Sequence, residues 1–167
     1  PALVQTSKQG FLYVLNRTTG EPIYPIEERA VPASTVPGER AAPTQPYVAL
    51  PRPLVEDRWP GIFWLADLAS FGYCSRTAKK LRNEGRFTPP SLEGSLIYPA
   101  TIGGVEWGGG AVDPRSQVFV VNYTSAVQIY QLLPRAEFDA QAKARGGETG
   151  GYFPMNGGPY GLRLTTF

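Results

Sequence analysis

Four residues have the type and setting to handle a ligand: Lys8, Glu106, Trp107 and Asn122. Lys8 stands in a tight turn, Ser7-Lys8-Gln9-Gly10, between two apolar runs. An ammonium there can polarise a carbonyl if the turn lies at the ligand end of a sheet. Otherwise it is an ordinary solvated charge. Glu106 and Trp107 sit inside Gly103-Gly104-Val105-Glu106-Trp107-Gly108-Gly109-Gly110, where five glycines flank an acid and a tryptophan. Glycine lets a backbone approach a flat ligand, and tryptophan offers a stacking face and an indole donor. The same run also reads as a structural bulge around a core tryptophan. Asn122 ends a strongly apolar strand, where a polar group marks a rim or caps a turn. Neither GxxxxGK nor GxGxxG occurs, so no phosphate loop is indicated.

Other chemistries lack their residues. The sequence has no histidine, which removes the usual triads, zinc sites and imidazole bases. Its one cysteine, Cys74, cannot form an intrachain disulfide and reads as a small buried apolar residue. Glu27 and Glu28 are adjacent in a loop-like stretch and read as solvated. With 16 basic and 14 acidic residues, the net charge of +2 gives no nucleic-acid or membrane-surface signal. The cluster Arg76, Lys79, Lys80 and Arg82 reads as a solvated helix face. No apolar run approaches the roughly 20 residues of a membrane span.

The elements that must position these residues are mainly strands. Residues 2–24 read as an antiparallel meander, with turns at 7–10 and 17–21. Nine prolines fall in residues 22–60 and deny donors to any central strand. Apolar Val31, Val36, Tyr47, Val48 and Leu50 punctuate that stretch, so an ordered excursion is expected rather than a linker. Trp59, Phe63, Trp64, Leu65, Leu68, Phe71 and Tyr73 read as a packing cluster. Ser75 reads as the N-cap of a short helix over 76–84 closed by Gly85, with Ala78 and Leu81 on its apolar face. Strands are expected over 94–99, 108–112, 118–122 and 127–132, with a turn at 113–116. A short helix is expected over 136–145, and loop over 146–161. The two strand groups lie about one propeller-blade length, some 40 residues, apart once the proline-rich stretch is set aside. Pattern alone leaves a propeller and a sandwich both open. The opening directly on a strand-like run points to a piece of a longer polypeptide.

Several stretches together resemble the membrane-bound dehydrogenases that use pyrroloquinoline quinone (PQQ). They are Thr6-Ser7-Lys8-Gln9-Gly10-Phe11-Leu12-Tyr13-Val14-Leu15-Asn16-Arg17, Pro43-Thr44-Gln45-Pro46, Glu84-Gly85-Arg86-Phe87-Thr88-Pro89-Pro90-Ser91, Glu106-Trp107-Gly108-Gly109 and Leu132-Leu133-Pro134-Arg135. They occur in the family's order, and the Phe-Thr-Pro-Pro-Ser and Glu-Trp-Gly-Gly elements are similar to the glucose/quinate/shikimate branch. The resemblance implies an all-β fold: part of an eight-bladed quinoprotein β-propeller spanning 1–167, with a proline-rich insertion and short helix over 22–93. It implies Lys8 as a catalytic and cofactor-binding residue at the ortho-quinone. Glu106, Trp107 and Asn122 are implied as further cofactor contacts.

The resemblance also implies PQQ with calcium or magnesium, the metal's ligands lying outside this chain. It implies a sugar or polyol substrate, ubiquinone as electron acceptor, the remaining propeller blades as partners, and the periplasmic face of the bacterial inner membrane as location. The family's catalytic aspartate lies upstream of its lysine, so the chain alone is expected to be inactive. A non-catalytic propeller used for binding or assembly is the alternative. A proline-rich adaptor is weaker, since no PxxP cluster with flanking basic residues stands out.

Overall fold

Strands β1 (Ala2–Thr6) and β2 (Leu12–Asn16) pair antiparallel, with Ala2 opposite Asn16 and Thr6 opposite Leu12. A tight turn joins them, in which Gly10 N–H donates to Ser7 O at 2.9 Å and Ser7 N–H to Phe11 O at 3.1 Å. Gly10 takes φ 79°, a conformation in which other residues are strained. Ile23 N–H donates to Val14 O at 2.8 Å, adding the third extended run of the expected meander. The computed structural model describes residues 1–61, 64–105, 108–145 and 150–166.

The proline-rich excursion is ordered, as expected, and contains a ribbon of β3 (Ile26–Ala30) and β4 (Thr44–Val48). Pro46 sits within it opposite Glu28. A two-stranded ribbon consists only of edges, so a residue without an N–H is tolerated there. Phe11, Tyr47 and Phe87 pack this excursion against the first hairpin, with ring centroids 5.3 Å apart for Phe11–Tyr47 and 5.5 Å for Tyr47–Phe87.

Two expectations for residues 59–85 are corrected. The helix expected over 76–84 is instead α2 (Tyr73–Ala78), preceded by α1 (Trp64–Ala69). Ser75 does not cap it. Its N–H donates to Asp67 Oδ1 at 3.0 Å and its hydroxyl to Asp67 Oδ2, so Asp67 anchors the start of α2 from the preceding helix. The helix begins after Gly72, at φ 77°, and gives way where Arg82 N–H pairs with Gly94 O at 3.0 Å. Four members of the expected packing cluster do not enter a core. Leu65, Leu68, Phe71 and Tyr73 are exposed, and left-handed Phe71 and Gly72 separate α1 from α2. Phe63 and the Trp64 side chain lie outside the described residues. Cys74 is buried, as its sequence context suggests.

The second strand group begins with β5 (Ser95–Ile97) and a hairpin of β6 (Gly110–Asp113) and β7 (Val118–Val121). The Asp113 carboxylate closes that hairpin, accepting from Arg115 N–H at 3.0 Å and Ser116 Oγ at 2.6 Å. Next come β8 (Gln128–Pro134), α3 (Arg135–Ala144), β9 (Tyr152–Phe153) and β10 (Tyr160–Thr165). Strands β5, β8, β10 and β9 form, in that order, a four-stranded antiparallel sheet of the size of one propeller blade. Leu133, Phe138 and Tyr152 make its buried cluster.

The stretch 84–91 acts as a latch on this sheet. Ser91 and Ser95 are fully buried, their hydroxyls 3.1 Å apart, and Ser91 O accepts from Leu132 N–H at 2.9 Å.

One packing constraint is sharp enough to test. A Cβ built on Gly161 would lie 2.2 Å from the Phe138 ring. Gly161→Ala should therefore destabilise the sheet by about 1–3 kcal/mol in urea denaturation, by forcing overpacking that the buried ring cannot relieve.

Candidate functional site

The turn carrying Lys8 is held against loop 101–105, more than ninety residues away in sequence. Gly104 N–H donates to Lys8 O at 2.5 Å. The loop side of this contact is glycine, which keeps it close. A Cβ on Gly104 would stand 3.0 Å from Gly10 Cα and N, and one on Gly103 would stand 3.0 Å from the Lys8 side chain. The ammonium extends along the same loop, donating from Nζ to Thr101 O at 3.1 Å. Thr101 is tied in turn to the four-stranded sheet, where Gln128 Oε1 accepts from its N–H at 3.0 Å and Tyr130 Oη donates to its hydroxyl at 2.7 Å.

Asn122 reaches the same loop from β7. Two residues beyond it, Thr124 N–H donates to Gly104 O at 2.8 Å, and the Thr124 hydroxyl bonds Gly103 O. Asn122, Tyr123 and Thr124 line a cavity of about 230 Å³ together with Gly104, Gly108 and Gly109. Gly104 therefore bonds the Lys8 turn with its N–H and the Asn122 segment with its carbonyl. Glu106 and Trp107 lie outside the described residues, between two segments that reach this cavity.

Asn122 brings an amide to the cavity, and Lys8, which donates to Thr101 O, carries a cation in the turn bonded to Gly104. A Cβ at Gly108 would meet no atom within 4 Å, so this side of the run borders open space. Among the described residues no cluster of three or more acids, cysteines or histidines could hold a metal.

Behind the Lys8 turn stands Arg86, a residue to which sequence reasoning gave no role. Its side chain is only 2% exposed. Nη2 donates to Val55 O at 2.8 Å, and Cζ lies 4.6 Å from the centre of the Phe11 ring. Asp57 Oδ1 is 3.7 Å from Nε. Burial pushes the guanidinium pKa down, while Asp57 opposes the shift. Its signal in the sequence was a lone arginine among Gly85, Phe87 and a Pro-Pro pair, which does not announce burial.

Residues 1–167 match the family described as PQQ: Glucose/ethanol/alcohol dehydrogenase, beta-propeller domain. The chain belongs to this PQQ-dependent dehydrogenase family, and its small antiparallel sheets are part of the family's all-β propeller. It is 40% identical over 176 residues to quinoprotein glucose dehydrogenase of Gluconobacter oxydans (strain 621H), covering 100% of this chain and 21% of that protein. Over 179 residues it is 34% identical to the glycerol dehydrogenase large subunit of Gluconobacter thailandicus, covering 100% of this chain and 24% of that protein. Over 172 residues it is 35% identical to the probable quinate dehydrogenase (quinone) of Xanthomonas campestris pv. juglandis, covering 100% and 22%. The chain thus spans about a fifth to a quarter of the length of these relatives. No solved structure matches it. No helix among the described residues is long and apolar enough to cross a membrane.

The glycine contact yields a direct expectation. Gly104→Ala should push the Lys8 turn off the loop, and the residue-104 amide should then exchange with solvent at least ~10-fold faster by hydrogen-exchange NMR or mass spectrometry.

Proposed function

We propose that this chain is the Lys8-bearing part of a quinoprotein oxidoreductase that oxidises a sugar or polyol at PQQ. The observation that carries this reading is the junction at Gly104, whose two backbone groups bond the Lys8 turn and the Asn122 segment. It joins three separate stretches that sequence reading had linked to one cofactor. The relatives named for glucose, glycerol and quinate all act on polyhydroxylated compounds, which supports that substrate class.

PQQ, when bound, supplies an ortho-quinone that takes up hydride from the substrate carbon. The chain's residues serve that chemistry by position and charge. Lys8 holds an ammonium beside the carbonyl that gains negative charge, an electrostatic role that costs no reorganisation if the turn is already fixed. Asn122 offers an amide donor and acceptor on the substrate side. Glu106 and Trp107 contribute hydrogen bonds and a wall to the cofactor. The glycines admit a flat ring system to the backbone. Residues 22–93 are an insertion that braces the Lys8 turn.

The metal, calcium or magnesium, takes its ligands from outside this chain, as does the aspartate that accepts the substrate proton. The chain alone is therefore inactive and works with the remaining blades. Catalysis faces the periplasm at the bacterial inner membrane, and electrons pass to ubiquinone through the parent protein's membrane domain.

The test is PQQ titration of the full-length protein by absorbance, with calcium or magnesium present, followed by turnover on glucose and on quinate. Wild type should bind PQQ and oxidise one of the two. Lys8→Ala should lower kcat by about 10²–10³, the scale of losing one charge-stabilising donor. A full-length protein that binds no PQQ with either metal supplied removes the enzyme assignment.

A further inference from the structure

The Lys8 turn is met on a second side by groups from the proline-rich excursion. A Cβ on Gly10 would stand 2.7 Å from Val55 Cγ2 and 3.6 Å from Arg86 Nη1. Gly10 O accepts from Leu54 N–H at 2.9 Å. Arg86 is the centre of this support. It bonds Val55 O, stacks over Phe11, and lies in ion-pair range of Asp57. Phe11 is itself 1% exposed, and its N–H donates to Ser7 Oγ at 3.2 Å, across the turn that carries Lys8.

Arg86 is an expensive way to brace a turn. Its Nε and Nη1 are buried without a hydrogen-bond acceptor. A buried guanidinium with unsatisfied donors costs stability relative to an apolar residue of similar volume. What it offers instead is geometry: a planar, rigid fork that fixes Val55 and the Phe11 ring at once. Lysine in its place would keep the charge and lose the plane.

We propose that Arg86 is a positioning residue for Lys8. Through Phe11 and Val55 it sets the orientation of turn 7–10, and hence where the ammonium meets its ligand. The inference rests on the reading of Lys8 as a PQQ contact and adds a residue to it.

The experiment is a double-mutant cycle on the full-length protein, reading the PQQ dissociation constant by absorbance titration, with thermal melting to confirm folding. Lys8→Ala and Arg86→Gln should each weaken PQQ binding about tenfold or more, while the double variant should match Lys8→Ala within about twofold, since residues acting through one another are not additive. Arg86→Lys should behave like Arg86→Gln. If the two losses multiply in the double variant, Arg86 does not act through Lys8 and the proposal is overturned. Wild-type binding by Arg86→Lys overturns it too, because charge alone would then suffice. If Arg86→Gln does not fold, Phe11→Leu removes the stacked ring and takes its place in the cycle with the same expectations. If wild type binds PQQ and Lys8→Ala binds it equally well, the role given to Lys8 fails first. That result is distinct from additivity between two real losses.

Discussion

The close approach of two backbones, at Gly10 and Gly104, is the constraint on which the site depends. Neither chain segment could come so near with a side chain in the way. A Cβ at Gly104 would press on Gly10 backbone atoms, and one at Gly10 would strike Val55. With glycine at 104, Lys8 O can take the Gly104 N–H, and the first hairpin is joined directly to the loop before β6. The Thr124 bonds to Gly103 and Gly104 then bring the Asn122 segment to the same point, and Gln128 ties Thr101 to the four-stranded sheet. Three separate stretches of sequence converge because the backbone groups of one residue, Gly104, are shared among them.

The proline-rich excursion takes its meaning from this junction. Prolines keep it out of the main sheet, since they cannot donate to a ladder. It instead lays an aromatic cluster of Tyr47 and Phe87 against Phe11 and supplies Val55 and Arg86 beneath the turn. The stretch 84–91 then fastens to β8 through Ser91, so the excursion is pinned at both the turn and the sheet. What reads as an interruption in the strand pattern is a brace between its two halves.

Much of this was legible in the residues, for physical reasons. Alternation and turn chemistry located the meander over 2–24, the β6–β7 hairpin with its Asp113 turn, β8 and α3, because each is specified locally. The helix after Ser75 was misplaced because Ser75 resembles a cap, whereas its actual role is to bind Asp67 from another helix. The aromatic cluster over 59–74 was misread because hydrophobic content does not say which way a short broken helix faces. Lys8 and Asn122 were legible as candidates, and the resemblance carried their assignment. Arg86 was invisible, since nothing in a sequence distinguishes a buried arginine from a solvated one until Phe11, Val55 and Asp57 are seen around it.

The arrangement separates two tasks that a catalytic lysine must combine. A lysine is a flexible stem with a point charge, and it loses much rotamer entropy when fixed directly. Here the backbone beneath it is fixed, by the Gly104 bond and the Val55–Arg86 contact. The side chain donates one of its bonds from Nζ to Thr101 O. On the proposed reading, the ammonium would bond an acceptor gaining negative charge, and charge-assisted bonds are roughly twice as strong as neutral ones. On that reading rigidity lies in the turn, where it would cost no reorientation during reaction. Adaptability is left to the stem, where it lets the charge follow its partner.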